Sequence, residues 1–274
     1  MIVRVVSRVR FLITVALTAL ALAGCKTTGS SETTGSISSS SRSEADWRRD
    51  SEALGERFRA NPRDADNAVR YAQALRATSQ RAQAAAVLET AALHNPEDRV
   101  LLGAYGRALA DAGNFKQALD VLERAHSPDQ PDWRILSAQG AVFDQMGRHQ
   151  DAQRYYSNAL KIVPDEPSVL SNLGLSYALA KELPRAETTL RRAVERPGAD
   201  LRVRQNLALV VGLQGRFAEA ETIARADLPP EEAAANVAYL KQMLSEHNER
   251  KKTAAAVKST SRKPPPLEIG RAHV

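Results

Sequence analysis

An alanine recurs every 34 residues along most of this 274-residue chain. When the chain is divided into five blocks of 34 residues, beginning at residues 65, 99, 133, 167 and 201, position 20 of every block is alanine. Position 8 is always alanine or glycine, and position 11 is always apolar or aromatic. A fixed period of this length is typical of one helical or strand-containing unit that buries its apolar surface against copies of itself. The recurring alanines are Ala84, Ala118, Ala152, Ala186 and Ala220.

Within each block the pattern predicts two helices joined by a short turn. Small residues at positions 8, 20 and 27 allow the two helices to approach closely, and larger residues at positions 11 and 24 fill the space beside them. Position 15 is glycine in three blocks, which ends the first helix because glycine reaches positive φ without strain. Ser79 and Lys181 are the exceptions at this position. Proline at position 32, as Pro96 and Pro164, ends the second helix.

These positions resemble the pattern of the tetratricopeptide-repeat family. The resemblance implies an all-α, right-handed superhelical solenoid with about five repeats plus capping helices, over residues 44–251. A lone helix is expected before the first block, around Trp47. After the last block, a capping helix is expected from Glu231 to about Arg250.

Residues 1–24 have the pattern of a bacterial lipoprotein signal peptide. Three arginines precede an apolar run from Phe11 to Ala21, which is shorter than the roughly 20 residues of a membrane-spanning helix. The run ends in the sequence LAGC at residues 22–25, which resembles the lipobox. The resemblance implies cleavage before Cys25, the only cysteine, with a diacylglyceryl thioether on its sulfur and an acyl group on its new amino terminus. An ordinary secretory signal and an uncleaved anchor helix are the alternatives.

The residues around the folded part give further expectations. Lys26 follows the lipobox, and the absence of an aspartate there favours the outer membrane, on its periplasmic face, over retention at the inner membrane. Residues 25–43 are rich in Ser, Thr and Gly and are predicted to be a lipidated, disordered tether. Residues 252–274 are predicted to be a disordered, basic and proline-rich tail, and residues 268–274 resemble a translated sequencing adapter.

The formal net charge of +6 is concentrated at the two ends of the chain. Residues 1–24 contribute +3 and residues 250–274 contribute +6, so residues 25–249 carry −3. A mildly acidic body with 5% aromatic residues lacks the basic surface that nucleic-acid binding requires. We therefore expect no nucleic-acid partner.

The residue patterns of common enzymes are absent from the sequence. The five histidines form neither an i, i+4 pair nor a metal-ligand cluster, and there is no glycine-rich phosphate loop and no G-x-S-x-G turn. We predict a binding protein that is not an enzyme, with no metal and no small-molecule substrate. No cofactor is expected other than the covalent lipid on Cys25.

The family resemblance also implies where a protein partner binds. In tetratricopeptide repeats the first helix of each pair lines a concave groove, into which positions 2, 5, 9, 12 and 13 point. Here the groove is polar in the first three repeats, with Arg76 and Arg107, and Asn172 and Asn206 at position 6 are expected to hold a peptide backbone. In repeats four and five the groove is apolar. Its apolar candidates are Leu175, Leu179, Leu209 and Leu213.

Other interpretations of these groove residues remain open. The C-terminal capping helix, through Leu240 and its neighbours, would cover Leu209 and Leu213 as ordinary core. Leu175 and Leu179 would be core in the same sense. The arginines of the first repeats would then be part of a solvated polar face.

A lipobox, a Ser/Thr-rich tether and five such repeats together resemble the TadD-like lipoproteins of the tight-adherence (Flp) pilus assembly system. The resemblance rests on this arrangement and covers residues 1 to about 250. It implies a pilotin-like factor that helps a secretin assemble at the outer membrane, with a secretin subunit as the partner in the groove. The alternative is a general envelope scaffold that recruits cell-wall hydrolases or outer-membrane assembly components.

Overall fold

A computed structural model of the chain describes residues 43–260. In this range there are twelve α-helices and no β-strand; the one β-bridge, between Ser127 and Gln130, is isolated. The predictions for the signal peptide, Cys25 and the tether before Ser43 therefore lie outside the described residues. The helices are α1 Glu44–Ala60, α2 Ala65–Ala77, α3 Arg81–His94, α4 Arg99–Asp111, α5 Phe115–Arg124, α6 Trp133–Gln145, α7 His149–Ile162, α8 Pro167–Leu179, α9 Leu183–Val194, α10 Leu201–Leu213, α11 Phe217–Ala224 and α12 Pro230–Thr260.

The helices follow the 34-residue blocks. The first helix of each pair begins at the first residue of its block, at residues 65, 99, 133, 167 and 201. The prediction of an all-α fold of tetratricopeptide type, with about five helix pairs and additional helices at either end, is confirmed.

A carboxylate in the residue before each block supports the start of the first helix. Its side chain accepts a hydrogen bond from a backbone N–H of the first turn, which is the usual role of an N-cap residue. The acceptors, with their N···O distances, are Asp64 2.9 Å, Asp98 3.0 Å, Asp132 2.7 Å, Glu166 3.4 Å and Asp200 3.2 Å.

The turn within each pair has the same backbone conformation in all five blocks. Position 15 has positive φ in every case, including Ser79 at 63° and Lys181 at 67°, where the sequence has no glycine. The turn is therefore fixed by the packing of the two helices, and the backbone at Ser79 and Lys181 is held in a conformation that glycine adopts more easily.

Small residues at position 8 allow the two helices of a pair to touch. A Cβ atom added to Gly106 would lie 2.5 Å from Cγ of Leu122, and one added to Gly174 would lie 2.6 Å from Cγ of Leu190. In the third pair, a Cβ on Gly140 would meet the ring of Tyr156 at 2.7 Å. Position 8 of the first helix thus packs directly against position 24 of the second.

The described chain forms two compact units, which divide between Val203 and Arg204. In the first unit each helix packs against its neighbours in sequence, and the first helices α2, α4, α6 and α8 also pack against one another in that order. Their alignment creates one continuous face, which we call the A-helix face. The core beneath it includes Leu75, Leu88 and Leu102, each at most 1% exposed.

The second unit contains most of α10 together with α11 and α12. Ala208, Ala224 and Ala233 form its small apolar cluster, and Arg204 is paired with Asp227. Helix α12 runs to Thr260, well beyond its predicted end near Arg250, so the predicted disorder is wrong for residues 252–260. Alanines that favour helix follow the lysines in this segment, and the prolines that prevent helix begin only after it.

Candidate partner-binding face

The A-helix face of the first unit contains a pocket between α4 and α6. This pocket has a volume of about 260 Å³, and a more open pocket of about 550 Å³ lies beside it near Pro96. The pocket between the helices forms where Gly103 leaves space, because a Cβ there would lie 2.6 Å from Cδ1 of Ile135. Its lining residues are Arg99, Val100, Gly103, Arg107, Ala125, Gln130, Asp132, Arg134 and Ile135.

The arginines of this face differ in how they are held. Arg76 donates to Asp111 at 2.5 Å, Arg99 donates to Gln130 at 2.7 Å, and the guanidinium of Arg134 stacks over the ring of Trp133, 4.4 Å from its centre. Arg107 is half-buried and makes no hydrogen bond or ion pair with any residue between 43 and 260. It is therefore the arginine best placed to bind a group from outside.

Charges of both signs surround Arg107. Burial is the largest cause that lowers the pKa of the Arg107 guanidinium, and the nearby charges of Arg76 and Arg134 lower it further. Asp132 and Asp111 act in the opposite direction. Because an arginine side chain stays protonated in proteins, the result is a charged group that an added anion would stabilise.

In repeat four, the predicted apolar residues lie on the same face. Leu175 and Leu179 of α8 are both half-buried, so part of each side chain is open to solvent. Asn172 is half-buried and donates from Nδ2 to Oγ of Ser137 at 3.2 Å. This bond joins α8 to α6 and leaves the carbonyl oxygen of the Asn172 amide as its remaining polar atom. The role of these three residues in binding stays a prediction.

The predicted groove residues of repeat five lie in the second unit. Leu209 is only 8% exposed, while Leu213 and Asn206 are half-buried. Helix α12 packs on α10 near these residues, since a Cβ on Gly212 would lie 2.5 Å from Cδ2 of Leu240. The interpretation of Leu209 as core fits this burial better than the groove interpretation, and ligand contact by Leu213 and Asn206 stays a prediction.

A buried polar cluster that was not predicted joins the third and fourth repeats. The side chain of Asp144 is 10% exposed and accepts hydrogen bonds from Ser176 at 2.8 Å and Tyr156 at 3.2 Å. Nδ1 of His149 lies 2.8 Å from the same carboxylate. The serine hydroxyl bonds to the aspartate and to the backbone carbonyl of His149 but not to its imidazole, so the cluster lacks the nucleophile-to-base contact of a catalytic triad.

We expect Asp144 to make the stability of the wild type respond to pH. Burial is the largest cause that raises the pKa of the Asp144 carboxyl, although hydrogen bonds from His149 and Ser176 lower it in part. A carboxyl with a raised pKa binds a proton more readily in the folded chain than in the unfolded chain. Its contribution to stability therefore grows as the pH falls through the folded-state pKa, and is complete below the unfolded value of about 3.9.

Thermal melts of the wild type and Asp144→Asn at several pH values between about 7 and about 4 check this expectation. The melting temperature of the wild type, relative to that of the variant, should rise as the pH is lowered. Subtracting the variant removes the contributions of the other carboxylates. A difference that is independent of pH, or that falls toward acid, would contradict the expectation.

Two kinds of feature are absent from the part of the chain that the structure describes. No group of three or more His, Cys, Asp or Glu side chains between residues 43 and 260 is arranged to hold a metal ion. No helix in that range is both long and apolar enough to cross a membrane.

Two family models match parts of the chain. The tetratricopeptide-repeat model matches residues 138–200, and the model of subunit 3 of the anaphase-promoting complex, or cyclosome, matches residues 49–125. No curated protein matches the chain significantly.

Several solved structures are similar in fold. The crystal structure of PilW, a widely conserved type IV pilus biogenesis factor, has a TM-score of 0.58 and 17% identity, over 70% of this chain and 91% of that chain. A thermophilic tetratricopeptide-repeat protein of Thermus thermophilus has a TM-score of 0.54 and 19% identity, over 61% and 91%. The Cut9–Hcn1 hetero-tetramer has a TM-score of 0.54 and 14% identity, over 72% and 40%.

At these identities the likeness is one of fold. Together with the match of the tetratricopeptide-repeat model to part of the chain, it shows a fold of tetratricopeptide type, which serves as a scaffold for protein–protein interaction. Scaffolds of this type are typically not enzymes.

Proposed function

We propose that this protein is a lipid-anchored scaffold on the periplasmic face of the outer membrane, which binds a segment of another protein on its A-helix face. The observation that carries the proposal is the combination of a lipobox at residues 22–25 with a tetratricopeptide fold that begins soon after it, at Glu44. The first feature supports a membrane anchor and the second supports protein binding. No small molecule or nucleic acid is required.

The more specific proposal is a pilotin-like role in tight-adherence pilus biogenesis. In this role the A-helix face captures a segment of a secretin subunit, and the lipid on Cys25 brings the pair to the outer membrane. The similarity in fold to PilW, a type IV pilus biogenesis factor, is in keeping with this role but is not specific for it. The order of signal, tether and repeats supports it independently of that similarity.

The tether gives the proposal a physical mechanism. A Gly/Ser-type coil spans roughly 5–6 Å multiplied by the square root of its length, so the segment between Cys25 and Glu44 would reach about 25 Å. A scaffold confined this close to a surface meets partners on that surface at a raised effective concentration. Capture of the partner and its delivery to the membrane then require no contacts other than those on the A-helix face.

A general envelope scaffold is the second candidate. The match of residues 49–125 to a subunit of the anaphase-promoting complex favours it, because that match is to part of a large assembly and carries no pilus-specific feature. The two candidates differ in the partner: a secretin subunit for the first, and a cell-wall hydrolase or an outer-membrane assembly component for the second.

In-cell photo-crosslinking from position 179 distinguishes the candidates. A photoreactive amino acid replaces Leu179, and the trapped protein is identified by mass spectrometry. We expect a secretin subunit. Position 107 serves as a second probe on the polar part of the face, and position 93 serves as the control, because Leu93 of α3 is 77% exposed and lies outside the A-helix face.

Each outcome has a distinct meaning. A hydrolase or assembly component trapped at position 179 would favour the general scaffold. A partner trapped at position 107 and not at 179 would place binding at the polar part and assign Leu179 to the core. Equal yields of the same protein at position 93 would indicate non-specific capture and contradict binding on this face.

A further inference from the structure

We propose that the pocket between α4 and α6 binds an aspartate or glutamate side chain of an extended partner segment, together with a small apolar side chain next to it. The proposal rests on the proposed function only in that the A-helix face binds a protein segment, and it does not depend on a pilus role. It identifies the chemistry of the partner, which the repeat fold alone does not.

The charges that line the pocket favour an anion. Three arginines, Arg99, Arg107 and Arg134, face one aspartate, Asp132. The carboxylate of Asp132 is already engaged as the N-cap of α6, where it accepts from the backbone N–H of Arg134 at 2.7 Å. The charge of Asp132 raises the pKa of Arg107, but none of the three guanidinium groups donates a hydrogen bond to this carboxylate among residues 43–260.

Arg107 is the centre of this site. Its guanidinium offers five N–H donors in a planar fork, which matches the two oxygens of a carboxylate. None of these donors has a hydrogen-bond acceptor among residues 43–260, whereas the neighbouring Arg76 is held by Asp111 at 2.5 Å. Because these nitrogens are not fully buried, a carboxylate from a partner would replace their water contacts with charge-assisted hydrogen bonds.

The pocket also has an apolar wall. Val100, at position 2 of its repeat, is 70% exposed, and Ile135 and Ala125 continue the apolar surface inward. A volume of about 260 Å³ accommodates one or two side chains and not a whole helix. An acidic side chain with a small apolar neighbour in an extended segment therefore fits both parts of the site.

The charge balance of the helical body favours a short acidic segment over a long polyanion. The formal charges of residues 43–260 sum to zero, so the body as a whole does not attract an extended polyanion such as a nucleic acid. A single carboxylate in the pocket interacts mainly with the arginines around it, because charges beyond about 8–10 Å are screened at physiological salt.

A phage-displayed library of random peptides, each fused at both ends so that no peptide terminus is free, tests the proposal. Selection is carried out on the full chain, and on Arg107→Gln and Arg134→Gln. We expect the wild type to enrich sequences with Asp or Glu beside a small apolar residue. Fluorescence anisotropy with the enriched peptide should show binding about tenfold weaker to either variant, since a charge-assisted hydrogen bond is lost.

Arg81→Gln is the matched control, because Arg81 is exposed at the start of α3 and does not line the pocket. It should bind the enriched peptide as the wild type does, and circular dichroism should give the same helix content for all four proteins. Replacement of the peptide's acidic residue by its amide should abolish the difference between wild type and Arg107→Gln.

Three results would overturn the proposal. One is enrichment of peptides without an acidic residue, and another is equal binding of the acidic peptide to Arg107→Gln. The third is the absence of any enrichment on the wild type. The first result would be most informative if the enriched peptides were purely apolar, bound Arg107→Gln normally and lost binding to Leu179→Asp. That pattern would contradict binding of an acidic residue in the pocket and leave protein binding by the A-helix face in place.

Discussion

Replacing Cys25 by serine should abolish lipid attachment and move the protein out of the membrane fraction. The predicted anchor consists of acyl chains on this residue, and each buried methylene group contributes about 0.8 kcal/mol to membrane binding. Two or more chains hold a protein durably, whereas the repeats alone provide no such attachment. Fractionation of cells that express the wild type or Cys25→Ser, together with metabolic labelling by an alkyne analogue of palmitate, measures both effects.

The palmitate label distinguishes membrane attachment through lipid on Cys25 from attachment through an uncleaved signal peptide. An uncleaved Cys25→Ser chain is able to stay at the membrane through its apolar run, but it should take up no label. A variant that is still labelled, or a wild type that is not, would contradict lipidation of Cys25. The purified variant should melt at the temperature of the wild type, because residue 25 precedes the first helix at Glu44.

The register of the repeats was predictable from sequence because it depends on contacts between few atoms. A glycine or alanine at position 8 is required where position 24 of the partner helix approaches within van der Waals distance, as Leu122 does at Gly106. A larger side chain at either point would separate the helices, so the sequence has little freedom there. The same constraint repeated five times identifies both the fold and the helix starts.

The polar cluster at Asp144 was also present in the sequence as a signal, although the repeat pattern concealed it. Position 24 is leucine in three repeats but tyrosine in the third, as Tyr156. A buried tyrosine hydroxyl needs a hydrogen-bond partner, and Asp144 at position 12 supplies it. The repeat position alone predicts that Asp144 faces the polar groove, but its side chain is turned into contacts between repeats.

The pocket between α4 and α6 could not be predicted in the same way. It depends on the loop that contains Gln130 and Asp132, and Gln130 departs from the repeat pattern at position 32, where Pro96 and Pro164 lie in other blocks. Whether Arg107 or Arg76 is left without a partner depends on distances across two repeats, and Asp111 lies within reach of Arg76.

The end of α12 differs from its prediction for another reason, since the lysines of this segment indicate charge but not disorder, and lysine and alanine both favour helix.

Leu122→Ala should lower the free energy of unfolding of the first unit by about 2–5 kcal/mol, the range for a fully buried leucine. Leu122 is 0% exposed, and its Cγ occupies the space that Gly106 leaves open. Glycine offers no side chain that could move into the cavity, which places the expected loss toward the upper part of the range. Urea denaturation followed by circular dichroism measures the change.

Leu93→Ala is the matched control, because it removes the same atoms from a leucine that is 77% exposed. Its effect should be within about 0.5 kcal/mol of zero. Equal losses for the two variants would contradict the close packing of α4 on α5.

Because Arg107 follows Gly106 directly on α4, loosening the contact between Leu122 and Gly106 should also displace the guanidinium of Arg107 from its pocket. Weaker binding of an acidic peptide by folded Leu122→Ala would then connect the small residues of the repeat to the function of the A-helix face.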